Sequence, residues 1–167
     1  FDGAKGELLE VEAGVSVDLD GFVYADGTLA FESYSDTVSL SDGTKDMPVN
    51  ILAVGGVADA FVGINGPSGE PGAAGFAMNG ADLALAMIRP ADGTDTRSWT
   101  ALKATADQIG TEGIDGFTAS FTDLSVNVNR GDGSVIDFET KPLDVNTGGG
   151  QSIALDFKGS DGQMFEA

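Results

Sequence analysis

Carboxylates are the side chains that this chain has in quantity for chemistry: 27 Asp and Glu stand against 8 Lys and Arg, a net charge of −19. Histidine and cysteine are both absent. That removes the commonest general base, the commonest transition-metal ligand, thiol catalysis and disulfides together. What acidic side chains do well without them is hold hard cations, whose ligands are carboxylate and carbonyl oxygens. Asp18 and Asp20 on one expected wet strand face, Asp92 and Asp95 in an Asp-Gly-Thr-Asp turn, and Asp132 at an Asp-Gly step are the candidate calcium ligands. The spacing of an EF-hand is missing, as is the glycine-rich nonapeptide of calcium β-rolls. A competing explanation is turn formation. Asp-Gly occurs eight times in the chain, and both residues tolerate the left-handed backbone that tight turns need.

A pair of carboxylates can also serve acid–base hydrolysis, provided one sits in an apolar pocket that raises its pKa. Nothing in the sequence places Asp18 or Asp20 there. No nucleophile elbow, phosphate-binding loop or dinucleotide fingerprint stands in a strand–helix context. The chain therefore reads as a non-enzyme with no catalytic residue to assign. Its eight basic residues are scattered rather than clustered, which argues against a nucleic-acid partner. No apolar run reaches the roughly 18 residues of a spanning helix.

The elements that must position these groups are strands. Val15–Asp20 and Thr37–Leu40 alternate apolar and polar residues, the pattern of a strand with one wet face. The Asp26-Gly27 step between Phe22–Tyr24 and Leu29–Tyr34 predicts a hairpin turn. Val49–Val54 is apolar at nearly every position and predicts a strand buried on both faces. Asn65–Gly72, rich in Gly and Pro, reads as a surface loop. Ala81–Ile88 favours a strand, with a short helix as the alternative there and again at Ala101–Ile109. Ser98–Thr105 follows as its hairpin partner, with Trp99 as a core or interface anchor. Ile114–Phe121 reads as a strand with its apolar residues at odd numbers. From Leu124 they move to even numbers, so a bulge or turn belongs at Thr122–Asp123. Gly148–Gly150 marks a break before the last strand, Ile153–Phe157. The expectation is an all-β fold: an antiparallel β-sandwich or barrel-like unit of short strands, with at most one short helix.

The two ends of the chain repeat one phrase. Phe1–Glu10 laid on Phe157–Glu166 matches without a gap at an offset of 156 residues. Phe1 meets Phe157, Gly3 meets Gly159, Gly6 meets Gly162 and Glu10 meets Glu166. Leu8 meets Met164, and Leu9 meets Phe165. Glycine is abundant (25 residues), so the glycine matches alone mean little. The gapless run of apolar and acidic matches predicts one period, about 156 residues, of a head-to-tail array. Residues 1–167 are then a single β unit, and 157–167 begin the next copy. The expected inter-repeat junction comprises Phe1, Leu8, Leu9, Val11, Phe157, Met164 and Phe165.

The phrases Gly21-Phe-Val-Tyr24, Ala60-Phe-Val-Gly63, Trp99-Thr-Ala-Leu-Lys-Ala104, Gly113-Ile-Asp-Gly-Phe117 and Asp123-Leu-Ser-Val-Asn-Val-Asn129 resemble the long repeats of very large bacterial extracellular proteins of the adhesin or haemagglutinin-like kind. The resemblance covers most of the chain and implies a bacterial surface or secreted location, with a stalk, filament or adhesion role. The expected partners are neighbouring copies of the same repeat, with a cell-surface glycan or protein as a further one. The alternative function is a calcium-dependent module binding a glycan or a partner surface, with calcium as its cofactor. An all-β hydrolase domain has the least support.

Overall fold

The computed structural model of the chain describes residues 8–167. Six long strands follow one another as an antiparallel meander: β1 (Leu9–Leu19), β2 (Val23–Leu40), β3 (Met47–Ile64), β4 (Ala74–Pro90), β5 (Trp99–Glu112) and β6 (Ser120–Gly131). A short strand, β10 (Met164–Glu166), closes the far edge on β6, so the main sheet runs β1-β2-β3-β4-β5-β6-β10. A two-residue strand, β7 (Ile136–Asp137), pairs with the end of β2. The hairpin β8 (Leu143–Gly148) and β9 (Gln151–Leu155) forms a separate small sheet. The fold is all-β, as expected; among the described residues the one helical element is a 3-10 turn at Gly159–Asp161. Both stretches that could have been helix, Ala81–Ile88 and Ala101–Ile109, lie inside β4 and β5.

The strands are much longer than the sequence pattern suggests. β2 and β3 each run 18 residues and pair continuously from Val23↔Val62 to Val38↔Met47. Asp26-Gly27 is therefore not a turn; it lies inside β2. Gly27 is tolerated there because the neighbouring backbone crowds it: a Cβ would stand 2.1 Å from the Val57 carbonyl oxygen. The actual β1–β2 turn is at Asp20-Gly21, both in the left-handed region (φ 52° and 70°). Ile114–Phe117 is also a turn, closed by Phe117 N–H donating to the Ile114 carbonyl, and β6 starts only at Ser120. The expected irregularity at Thr122–Asp123 is present as a left-handed Asp123 (φ 55°) inside β6. Gly148-Gly-Gly150 is the tight turn of the β8–β9 hairpin, with all three φ positive.

The core lies under one half of one sheet face. Val49, Ile51 and Ala53 of β3 stand beside Ala84, Ala86 and Ile88 of β4 and Trp99 and Ala101 of β5. Against them pack Ile136, Phe138, Val145, Leu155 and Phe157 from the chain after β6. Each fully buried large side chain among these contributes roughly 1.5–3 kcal/mol. Trp99 is 1% exposed, and its indole N–H donates to the Ser134 carbonyl at 3.1 Å. The expectation that Val49–Val54 is buried on both faces is not met. Val49, Ile51 and Ala53 are buried, but the alternate residues Asn50 and Leu52 face solvent, because β8 and β9 cover only one side. A second, small cluster of Phe61, Ala73, Ala77 and Tyr24 forms at the other end, under the loop after β3. Glu112 secures that loop by accepting from the Ser68 hydroxyl and the Gly69 N–H.

Close approach of the β8–β9 roof to the sheet requires a glycine. A Cβ on Gly55 would stand 2.0 Å from the Asn146 carbonyl oxygen, whereas one on Gly14 would meet nothing within 4 Å. Gly55→Ala is expected to lower unfolding stability by about 1–3 kcal/mol through forced separation of the two layers. Gly14→Ala should leave it nearly unchanged. Urea unfolding of both variants checks the pair, and equal effects would contradict it.

Tyr34 sits in the same core, 4% exposed, beside the acidic groups of Glu32, Asp36 and Asp144. Burial first, and then these charges, push its phenol well above its ordinary value. A folded-state pKa above the unfolded one, near 10, favours the protonated form in the native state. That contribution is fully present below pH 10 and is lost as pH rises beyond it, at up to about 1.4 kcal/mol per pH unit. We expect Tyr34→Phe to flatten the loss of stability between pH 10 and 11.5, measured by denaturant unfolding. An unchanged slope would remove Tyr34 as its source.

Candidate interface: the sheet edges and the apolar face

The expected junction residues fall into three groups. Phe1 lies outside the described residues. Leu8, Met164 and Phe157 belong to the core side: Phe157 is buried, and Leu8 and Met164 are half-buried and pack against the same cluster. Leu9, Val11 and Phe165 are on the opposite side of the sheet and exposed, at 65%, 48% and 61%. Apart from Phe157, the described junction residues thus lie at the two edges of one sheet, beside or within β1 at one side and in β10 at the other.

β10 reaches its place by a short crossing. The sequence reading runs Ile153–Phe157 straight into the repeated phrase, but β9 ends at Leu155 on the roof. The chain then buries Phe157, turns through Gly159–Asp161, and comes down onto β6. There Met164 pairs with Asn129, Phe165 with Val128 and Glu166 with Asn127. Three further contacts hold it. Gln163 donates to the Gly131 carbonyl at 3.2 Å, the Arg130 guanidinium lies 5.7 Å from the Phe165 ring centre, and Met164 packs on the core. Below Glu166 the outer edge of β6, from Val126 to Ser120, has no partner strand among the described residues. The outer edge of β1 has none along its whole length. Glu10 and Glu12 of β1 instead fasten it to the roof. Glu10 accepts from the Asn146 amide at 3.0 Å, and Glu12 accepts from the Gly149 N–H at 2.7 Å.

The middle of the uncovered sheet face carries apolar rows that run from edge to edge. In one row, Val11, Phe31, Val54, Leu85, Leu102, Val128 and Phe165 are direct cross-strand neighbours. The next row is Ala13, Leu29, Gly56, Leu83, Ala104 and Val126, and the one after it Val15, Gly27, Ala58, Ala81, Ala106 and Leu124. Between Leu29, Met78, Leu83, Ile109 and Leu124 this face is hollowed into a groove of about 360 Å³. Apolar patches of this continuity are characteristic of contact surfaces, which makes this face a candidate interface. Sequence reading missed it. Its signal was the double apolar character of Val49–Val54 and Ala81–Ile88, which buried strands and strands with one uncovered apolar face share.

The candidate calcium ligands fall in three separate places: Asp18 and Asp20 at the β1–β2 turn, Asp92 and Asp95 in the turn after β4, and Asp132 just after β6. Asp18 accepts from the Gly21 N–H at 2.9 Å. Asp20 is left-handed in that turn, so the two do not share a strand face. Asp92 accepts from the Thr94 N–H and hydroxyl, which holds its carboxyl below the usual range. Asp95 is held low by its hydrogen bonds from Arg97, the shortest 2.6 Å. Asp132 accepts from the Ser98 N–H and hydroxyl at 2.9 and 3.2 Å. No group of three or more acidic side chains gathers into a metal site among the described residues. With the carboxylates of Asp18, Asp92, Asp95 and Asp132 already engaged by N–H and O–H donors at three separate places, the set is expected to give no calcium-dependent stabilisation. Thermal melts with calcium and with EDTA should coincide, and a rise of several degrees with calcium would show that a site assembles. Comparison of the chain with protein-family models, with curated proteins and with solved structures finds no match.

Proposed function

We propose that the chain is a structural module that acts by repetition, one unit of a stalk, filament or adhesion array in a large bacterial surface or secreted protein. The observation that carries this reading is the placement of the repeated phrase. Residues 164–166, which match 8–10 at the offset of 156, lie as an edge strand on β6 and not as a tail. A segment that begins a second copy while completing the first is a mechanical joint. It passes load through backbone hydrogen bonds and needs no linker. The net charge of −19 suits a unit that must stay soluble at high local concentration, and the adhesin-like phrases agree with a location outside the cell.

A chain of two copies, residues 1–156 followed by residues 1–167, tests this. Its first copy is expected to gain amide-exchange protection along Asp123–Val126 relative to the single copy, because the edge there becomes paired. Its melting temperature should rise by several degrees. Two copies that exchange and melt as the single one does would refute head-to-tail coupling.

A further inference from the structure

Resting on that reading, we propose that the joint is a strand addition of defined register. Leu8–Gly14 of a following copy lies antiparallel on Asp123–Asn129 of the preceding copy, and the main sheet runs unbroken from copy to copy.

Three observations lead to this. The first is direction. Each neighbouring pair from β1 to β10 is antiparallel, so six reversals separate the two and leave them running the same way. Leu9 and its counterpart Phe165 also project from the same apolar face. β10 is therefore placed as β1 of a next unit would be, and its bound edge is the edge that β1 leaves free. The sheet of the next unit would continue outward from it in the same sense.

The second is register. Met164 on Asn129 and Phe165 on Val128 place the counterparts Leu8 and Leu9 there. Continuing the ladder sets Val11 beside Val126 and Ala13 beside Leu124, so that two of the apolar rows pass across the joint. On the other face Glu10 meets Asn127 and Glu12 meets Ser125, pairing carboxylates with neutral polar groups. A slip of one residue would turn Val11 and Ala13 to the polar face.

The third is where the pairing ends. Gly14 falls opposite Asp123, the left-handed residue of β6. Glycine has no Cβ to crowd the irregular backbone, and the ladder stops or bulges there.

The absence of native cysteine makes the register directly readable. In the two-copy chain, Ser125→Cys in the first copy and Glu12→Cys in the second place two thiols on neighbouring positions of one face. They are expected to form an intramolecular disulfide under mild oxidation, about tenfold or more faster than Ser125→Cys with Val11→Cys, which project to opposite faces. Mass spectrometry of the digested chain identifies the link, and circular dichroism checks that each variant is folded. Equal or faster linking of the second-copy Glu12→Cys to Asn127→Cys or Asp123→Cys would overturn the register. If the two-copy chain gains protection and melting temperature but Ser125→Cys links to nothing, the units are coupled by another surface, and the strand addition fails alone. If it gains neither, the tandem reading fails with it.

Discussion

The structure depends on the need of every long strand for hydrogen-bond partners on both edges. Backbone N–H and C=O groups left bare along a strand are templates for another strand. A meander of 11 to 18-residue strands satisfies this inside the sheet and concentrates the unmet need at its two borders. Three residues of β10 cover part of one border, and β1 forms the other. Closed barrels remove their edges, and sandwiches often shorten or charge them. Here one border carries Glu10 and Glu12, but both carboxylates are turned inward to the roof, where they secure the hairpin and do not guard the edge.

Coverage of the faces follows the same economy. The chain after β6 is long enough to lay one hairpin and one aromatic cluster over half of one face. That suffices for a core around Trp99, Ile88 and Phe138. The opposite face has no second layer among the described residues, yet three successive rows across it are apolar. Small residues fill several of the row positions: Ala13, Gly56, Ala58, Ala81, Ala104 and Ala106. They make the face shallow and grooved, a shape that receives a neighbouring surface more readily than it projects into one.

The aspartates that looked like metal ligands turn out to serve turns and loop ends. Asp18, Asp92 and Asp132 each satisfy a turn by accepting its N–H groups, and Asp95 does so while pairing with Arg97. In each case a short side chain replaces a hydrogen bond that the bent backbone cannot make for itself. Asp26 shows the limit of that rule. It precedes a glycine just as Asp20 does, but it lies within β2, where pairing with Asp59 on the neighbouring strand overrides the local preference. Turn propensity is worth too little to interrupt a ladder held from both sides.

What the sequence determined by itself is the period and the material. Alternation made the fold all-β, because a polar–apolar repeat of two fits only a strand. Trp99 was legible as an anchor from its size, and the irregularity near Asp123 from the change of phase between Phe121 and Leu124. The likeness of the two ends was legible because similarity at a fixed offset requires no structure to see. Strand length, the choice among the Asp-Gly steps and the uncovered face were decided only in three dimensions. Each depends on which strand lies alongside, and pairing partners 20 to 40 residues away leave no mark in a local window. The same holds for the edge on which Met164–Glu166 comes to lie: its residues resemble Leu8–Glu10, but only the sheet order assigns them to β6.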